Sequence, residues 1–485
     1  MAETIILIGS KIGRDSILSS LGKPEYSYFF LLQEFLPALH ALGRVIEVAS
    51  TAEVDRLFDD YSSKGHPVVF LSFSPPHQTP LGLRCPTVPL FAWEFDSLPN
   101  VAWEGEPRND WRYVFERVAG AVVTSREAAQ LVREVSPLPV LALPAPVWAR
   151  FADSEPSELT LAARAFSFAG QVIDSPLLGL SADGLVRRPP VVEAEEAPAE
   201  EPTGEQVASP PPRNTRWALS CRLAEAWWNE IRGCYAKPVV AAEPNVAPPA
   251  PIQHVQVDGV VFTTVLNPAD GRKNWVDLIT AFCWAFRDVP DATLIVKMTH
   301  HDLEYYRIVL ITLLSRLAPF ACRVLVLHGF LEDPQYRELM AATTFYVNAS
   351  SGEGLCLPLM EFLCAGRPAI APRHTAMADY LNDDIALPVA CAPEPTCWPH
   401  DPTGMLVTHR HRLDWQSLME AYRQAYAMAK EEPERYRAML SRARHEMEAF
   451  CSVEQVSGAL GDFLGRIAGS ESTTPGSVDS LRSLA

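Results

Sequence analysis

The 485-residue chain contains no run close to the ~20 consecutive apolar residues that a membrane-crossing helix needs, so no transmembrane segment is expected. Positive charge is in deficit: 41 Lys and Arg stand against 59 Asp and Glu, a net charge of −18. That balance excludes general nucleic-acid binding and leaves room only for a local basic pocket. The ten cysteines lack metal-binding spacing, since Cys356/Cys364 and Cys391/Cys397 are too far apart for C-x2-C pairs. His300 and His301 have no third ligand at a zinc-like spacing, so no metal site is expected. Reduced structural thiols point to a cytoplasmic protein. The opening MAETIILIGSKIG has neither the basic start nor the long apolar run of a signal peptide, and reads as a buried strand.

What is present is a globular composition, 48% hydrophobic and 21% charged, on a chain too long for one core. The most informative stretch is Phe345–Pro372, FYVNASSGEGLCLPLMEFLCAGRPAIAP. Phe345–Asn348 is β-like, small residues follow, and an apolar helical pattern runs on to the Gly366-Arg367-Pro368 stop before strand Ala369–Ala371. This is a βαβ unit with its loop at the carboxyl end of the first strand, where open α/β sheets bind ligands. A helix beginning near Gly354–Leu357 has unpaired first-turn N–H groups suited to an anion. Gly354 permits close approach, and Pro358 costs little in the first turn. Glu353 and Glu361, eight residues apart, are expected on roughly one helix face. Carboxylates suit hydroxyl groups and helix-start amides suit phosphates; a sugar nucleotide carries both.

Ser350 through Pro368 matches S-x-x-E-G-x-x-x-P-x-x-E-x-x-x-x-G-x-P at every fixed position. The stretch thereby resembles the retaining GT-B glycosyltransferases of the E-x7-E family (glycosyltransferase family 4, or group 1), which includes sucrose synthases and bacterial mannosyltransferases. The resemblance is strong over about 257–372 and only architectural elsewhere. It implies an α/β protein of GT-B fold, with two Rossmann-like doubly wound parallel-sheet domains facing a cleft, here with a disordered acidic linker inserted.

The rest of the chain is consistent with that plan. Residues 1–150 alternate apolar strands (Thr4–Ile8, Val45–Val48, Val68–Leu71, Pro89–Trp93, Ala121–Thr124, Val140–Leu143) with helices such as Tyr28–Leu42 and Val54–Tyr61, predicting a doubly wound sheet. In the resemblance this is the acceptor domain. Gly9, His77, Glu94 and Asp96 are its candidates, all at the carboxyl ends of predicted strands. The Trp-, Arg- and acid-rich segment Trp103–Arg112 is a candidate acceptor wall. Residues 151–256 read as an insertion. Arg188–Arg213 carries seven prolines and six glutamates and reads as a disordered linker, and a Trp-rich helix with Trp217, Trp227 and Trp228 follows. Its bland reading is packing on a domain; its alternative is a membrane or partner face.

Residues 257–450 read as the donor domain. Strand Val260–Leu266 leads to Asn267, Arg272 and Lys273 before helix Trp275–Phe286, an arrangement suited to a diphosphate. Relatives carry G-R-x-x-x-x-K-G here; Lys273 matches, but position 268 is Pro, so Arg272 must act from a different place. Lys297, where relatives have small glycines, ends strand Thr293–Lys297. Gly329 and Phe330 follow strand Arg323–Leu327, where the resemblance places the nucleotide base. After Pro372 the strand pattern fades into helices Trp415–Met428 and Glu431–Phe450. Residues 451–468 read as a final helix packing back on the first domain, and 469–485 as a disordered tail.

The function expected is transfer of a sugar from a nucleotide-sugar donor to a hydroxyl acceptor: a glycan, a polysaccharide or a lipid-linked saccharide. A hexosyltransferase of polysaccharide biosynthesis is the form the resemblance favours. Glu353, Lys273 and Arg272 are the catalytic candidates; Glu361, Gly354, Leu355, Cys356, Lys297, Gly329, Phe330 and Asn267 are the donor-binding ones. By resemblance, Glu361 holds the ribose hydroxyls, Glu353 holds the donor sugar, and the anomeric configuration is retained. Cations and amides would stabilise the departing phosphate, so no metal or other cofactor is expected. A lipid-linked acceptor would bring the chain to the inner face of the membrane as a peripheral protein. Two other readings stay open: a catalytically idle GT-B scaffold that binds partners, and another GT-B enzyme such as an epimerase or a glycoside phosphorylase.

Overall fold

A computed structural model describes residues 3–10, 26–152, 159–182, 228, 252–300, 303–398, 404 and 406–469. The acidic stretch 188–213, the Trp-rich segment apart from Trp228, and the tail after 469 lie outside the described residues. The two sheets below belong to one compact unit, so the contacts across their cleft are internal to it.

The N-terminal half alternates β1 (Thr4–Ser10), α1 (Tyr26–Leu42), β2 (Gly43–Glu47), α2 (Thr51–Ser62), β3 (Val68–Phe73), β4 (Thr87–Phe91), α3 (Trp111–Phe115), β5 (Ala121–Val123), α4 (Arg126–Val135) and β6 (Val140–Ala142). β3 is buried along its whole length, which is why its sequence is continuously apolar rather than alternating. Every strand pair is parallel, in the order β2-β1-β3-β4-β5-β6. The order reverses between β1 and β3, so a crevice opens beyond their carboxyl ends.

The C-terminal half is built from β10 (Val260–Leu266), α5 (Trp275–Ala285), β11 (Ala292–Met298), α6 (Leu303–Leu317), β12 (Arg323–His328), α7 (Asp333–Ala342), β13 (Phe345–Val347), α8 (Leu357–Cys364), β14 (Ala369–Pro372) and β15 (Ala386–Val389). The sheet order β15-β14-β13-β10-β11-β12-β8 reverses between β10 and β13. Its edge β8 (Gln171–Asp174) runs antiparallel to β12, held by Arg323, whose Nη2 donates to Asp174 Oδ2 at 2.7 Å. β7 (Arg164–Ala169) and β9 (Ile252–Val257) form a small antiparallel pair beside it. The expectation of one insertion over 151–256 is corrected here: Arg164–Asp174 is structured and β8 completes the second sheet.

A hairpin of β16 (Cys391–Cys397) and β17 (Val407–Leu413) then precedes α9 (Trp415–Glu431), α10 (Pro433–Cys451) and α11 (Val453–Gly469). The last helix lies against the N-terminal half. Its Val456, Leu460, Phe463, Leu464 and Ile467 are buried in a cluster shared with Leu31, Phe35 and Leu39 of α1. A Cβ on Gly461 would stand 2.8 Å from the Leu42 Cδ2 methyl, so the two helices lie close here. Among the described residues, no helix is long and apolar enough to cross a membrane.

Leu460 is fully buried at this junction. Leu460→Ala should lower unfolding free energy by about 3 kcal/mol in denaturant titration. A loss below about 1 kcal/mol would mean the helix packs more loosely than described.

Candidate functional site

Both carboxyl-end crevices open into one cleft of about 1450 Å³. Its floor is made by the loops after β10 and β13, the two strands at which the second sheet reverses.

After β10, the Asp270 side chain accepts from the Arg272 amide at 3.1 Å and closes the one-turn helix Gly271–Lys273. Asn274 ends that turn in the left-handed region at φ 46°, a conformation Asn tolerates better than most residues. Trp275 Nε1 donates to Pro268 O at 3.1 Å and pins the loop back. After β13, Asn348 Oδ1 accepts from Ser350 N at 2.8 Å, and the Ser350 hydroxyl donates to Gly352 O at 3.0 Å. The two loops are laced together by Ser351 N donating to Arg272 O at 2.8 Å.

Lys273 Nζ meets Glu353 Oε1 at 2.6 Å, and Arg272 Nη1 lies 4.0 Å from Glu353 Oε2. Glu353 is only 4% exposed. Burial alone would raise its carboxyl, but Lys273 and then Arg272 outweigh that and hold it at about 2. Lys273 is pushed the other way by burial, yet Glu353 keeps it above the ordinary lysine value and therefore charged. Arg272 is shared more widely. It pairs with Asp270 at 2.7 Å and Glu94 at 3.3 Å, and donates to Gly352 O at 2.5 Å. It thereby ties the Glu353 loop to the N-terminal half.

That half presses close. A Cβ on Gly352 would lie 2.8 Å from Glu94 O, and one on Gly354 would lie 2.9 Å from Ala92 Cβ and Trp93 N. The Thr124 hydroxyl donates to Gly354 O. Glycine is therefore required at both positions by backbone approach across the cleft.

Helix α8 begins only at Leu357, after Cys356 at φ 65°. Glu353 thus lies in the loop, and the expected common helix face for Glu353 and Glu361 does not exist. The two carboxylates line one cleft from separate environments. Glu361 accepts from Arg150 Nη1 at 2.6 Å and from the Tyr336 hydroxyl at 2.8 Å. Burial raises it, opposed by Arg150 and by the Tyr336 bond. Leu355 and Cys356 line the cleft beside Leu357 and Pro358, whose N-terminal turn is the expected anion-facing end of α8. Cys356 Sγ accepts from Asn348 Nδ2 at 3.1 Å, and burial pushes its thiol up.

Lys297 is 6% exposed at the end of β11, donates to the Thr299 hydroxyl and lines the cleft. Burial lowers it to about 8, opposed by Glu361. Asn267 and Phe330 also line the cleft, with Phe330 37% exposed. Gly329 does not; it packs where a Cβ would lie 2.8 Å from Ala169 O, so its glycine serves the β7–β8 edge.

From the N-terminal half, His77 and Glu94 line the cleft. His77 stacks on Trp111 and its Nδ1 accepts from Trp111 Nε1 at 3.3 Å. Trp103 lines the same wall next to Trp398, at 5.2 Å between rings. Gly9 and Asp96 are corrections. Gly9 pairs within the sheet opposite Ser72 and is not among the cleft-lining residues. Asp96 is taken up by the hairpin: it accepts from the Thr408 hydroxyl and His409 N, each at 2.9 Å, and from His409 Nδ1 at 2.8 Å. Its carboxylate fastens the two halves and does not face the cleft.

Arg150 and Tyr336 escaped the sequence reading, because nothing in their local pattern marks them. Among the described residues, no group of three or more His, Cys, Asp or Glu is placed to hold a metal ion.

Glu353's depressed carboxyl contributes stability that is complete above about 4.5 and is lost as pH falls toward about 2. Lys273→Met should cost about 3 kcal/mol at neutral pH, because it leaves a buried charge without its close partner. It should also flatten this acid limb in urea titrations. A cost under about 1 kcal/mol with an unchanged acid limb would contradict the pairing.

No protein-family profile matches the chain, and no curated protein sequence matches it. Solved structures do match. Alr3699/HepE from Anabaena, in complex with UDP-glucose, aligns at TM-score 0.50 and 12% identity over 95% of this chain and 99% of its own. Sucrose-phosphate synthase from Thermosynechococcus elongatus aligns at TM-score 0.45 and 14% identity, over 96% and 99%. A glycosyltransferase from Rickettsia africae aligns at TM-score 0.48 and 9% identity, over 97% and 99%. At these identities the likeness to HepE establishes architecture, and with the two reversing parallel sheets above it gives the fold: the chain is a GT-B protein.

Proposed function

We propose that the chain is a glycosyltransferase that moves a sugar, as a hexosyl group, from a nucleotide-diphosphate sugar to a hydroxyl of a saccharide acceptor, free or lipid-linked. The observation that carries this reading is the Lys273–Glu353 pair beside Arg272 at the β10/β13 switch point, in a cleft that also holds Glu361.

The chemistry follows from what each group offers. Breaking the glycosidic bond to the diphosphate builds negative charge on the departing phosphate. Lys273 remains protonated and Arg272 is permanently charged, so both attract that charge from fixed positions. The first-turn amides of α8 add donors without adding net charge. Lys297 approaches the same cleft from β11 and gains protonation when an anion arrives, since an anion offsets its burial. Glu353, ionised at any physiological pH, accepts from donor-sugar hydroxyls. Glu361 accepts from the ribose. The reaction in this reading retains configuration, uses the leaving phosphate as base toward the acceptor hydroxyl and runs without a metal cofactor. Trp103 and His77 offer ring surfaces for an acceptor sugar on the opposite wall.

The test is a thermal-shift panel of UDP-, GDP- and ADP-sugars in chelator, UDP-glucose first because HepE was solved with it. The panel is run on wild type, Lys273→Ala and Glu361→Ala. A ligand at about 100 times its Kd stabilises by roughly 2.7 kcal/mol, which a melting curve resolves. One nucleotide class should shift the wild type, with the shift lost in both variants. No shift from any donor at millimolar concentration would defeat the transferase reading and favour a partner-binding scaffold.

A further inference from the structure

One side chain joins three carboxylates that come from both sides of the cleft. Arg150 ends the one-turn helix Val147–Arg150 of the N-terminal half. Its Nη1 meets Glu34 Oε1 at 2.8 Å and Glu361 Oε1 at 2.6 Å, and its Nη2 meets Asp333 Oδ1 at 3.0 Å. Glu34 comes from α1, Asp333 from the start of α7 and Glu361 from α8. Glu34 and Glu361 are 6% and 8% exposed, and two such carboxylates this close cannot both stay ionised cheaply without a shared cation.

The guanidinium is held firmly. Val147 and Trp148 are buried in one cluster with Leu359, Met360 and Leu363 of α8. Arg444 lies 4.8 Å over the Trp148 ring, and Arg337 Nη2 donates to Arg150 O at 2.7 Å. The turn is therefore packed directly on the helix that carries Glu361.

An ionised carboxylate offers about four lone-pair sites. Arg150 takes one on Oε1 and Tyr336 takes one on Oε2, which leaves one acceptor site on each oxygen. Two parallel acceptors suit a vicinal diol. A protonated Glu361 would lose that match, because one oxygen becomes a donor.

We infer that Arg150 is a positioning residue of the nucleoside site, holding Glu361 from the opposite half as a fixed, ionised acceptor for a ribose diol. The same guanidinium joins the Glu361 side of the nucleoside site to Glu34 of the N-terminal half. The inference rests on the reading of Glu361 as the ribose ligand.

The other groups acting on Glu361 set the sign of the pH effect. Glu34 and Asp333 disfavour its charge, and Lys297 from β11 favours it. Tyr336 from α7 donates to it, while Tyr346 from β13 and Cys364 on its own helix are neutral neighbours whose ionisation it opposes. Burial raises Glu34 to about 7, with Arg150 the main opposing influence. Without Arg150, both carboxyls lose the main cation opposing their burial and shift further up.

The experiment uses the full chain with Arg150→Met, Arg150→Lys and Glu34→Gln/Arg150→Met. UDP, GDP and ADP binding is measured by calorimetry from about pH 6 to pH 8.5, and melting temperatures are taken from about pH 5 to pH 8.5. Wild-type affinity is the reference at each pH, because Lys297 and Glu34 themselves titrate within this range. Arg150→Met should bind at least about tenfold more weakly, and lose several-fold more as pH falls. Arg150→Lys should recover part of the affinity, and Glu34→Gln should reduce the pH dependence of the Met variant. Melting adds a readout independent of nucleotide. Raised carboxyls give stability at acid pH that is lost as pH rises, so the deficit of Arg150→Met against wild type should widen from about pH 5 to pH 8.

A nucleotide that binds Arg150→Met as it binds wild type, with the same pH profile, would overturn the inference and leave the transferase reading intact. A melting deficit equal at every pH would also overturn it, reducing Arg150 to packing. Absence of nucleotide binding to wild type, with the melting deficit still pH-dependent, would instead defeat the reading of the site as a nucleotide site, and the ribose role with it.

Discussion

The pairing of Lys273 with Glu353 is the contact on which the arrangement of the cleft depends. The two residues are 80 positions apart and meet at 2.6 Å because β10 and β13 are neighbours at the point where the sheet order reverses. A buried glutamate without a cation would protonate; a buried lysine without an anion would lose its proton. Each therefore holds the other in the charged form. A ligand bearing phosphate and hydroxyl groups can exploit both charges, since phosphate competes for the lysine and hydroxyls for the carboxylate.

Around this pair the structure spends several interactions on keeping the Glu353 loop in place. Arg272 bridges it to Glu94, and Gly352 and Gly354 let the Ala92–Glu94 backbone reach it. The hairpin reinforces it from behind. His411 N donates to Ser351 O at 2.8 Å, and the His411 ring stacks on His374 at 4.3 Å. Burial, then His411, lowers His374 to about 4, so it stays neutral at physiological pH. His374 Nε2 is 3.0 Å from Ser350 O, its other nitrogen is near the Thr375 hydroxyl, and that hydroxyl accepts from Glu353 N. The same hairpin fastens Asp96 of the N-terminal half, so the support for Glu353 and the joining of the halves share one element.

The elements legible in the sequence were those with a continuous apolar signal. β10 runs Val260–Leu266 as the pattern predicts, and α1, β3 and β12 differ from expectation only at their ends. Buried parallel strands and long helices advertise themselves in this way. The β16–β17 hairpin did not: Cys391–Cys397 is largely exposed and contains Pro393 and Pro395, which argue against a strand. β8 was hidden because an edge strand of four residues leaves little periodicity. At the site, Glu353, Glu361 and Lys273 were legible through spacing and resemblance, and all three line the cleft. Arg150 was not, since its role arises only where a turn from one half meets Glu34, Asp333 and Glu361. Asp96 was misread for a related reason: its strand-end position suggests the cleft, but a distant hairpin claims its carboxylate.

The central claim is that this cleft is a sugar-nucleotide site arranged around Lys273, Glu353 and Glu361. A crystal structure of the chain with the nucleoside diphosphate it binds tests that claim most directly. The account predicts phosphate oxygens within hydrogen-bonding distance of Lys273 Nζ and ribose hydroxyls on the Glu361 carboxylate, with Arg150 still in place. A nucleotide bound elsewhere, or bound in the cleft with Lys273 and Glu361 both untouched, would contradict it.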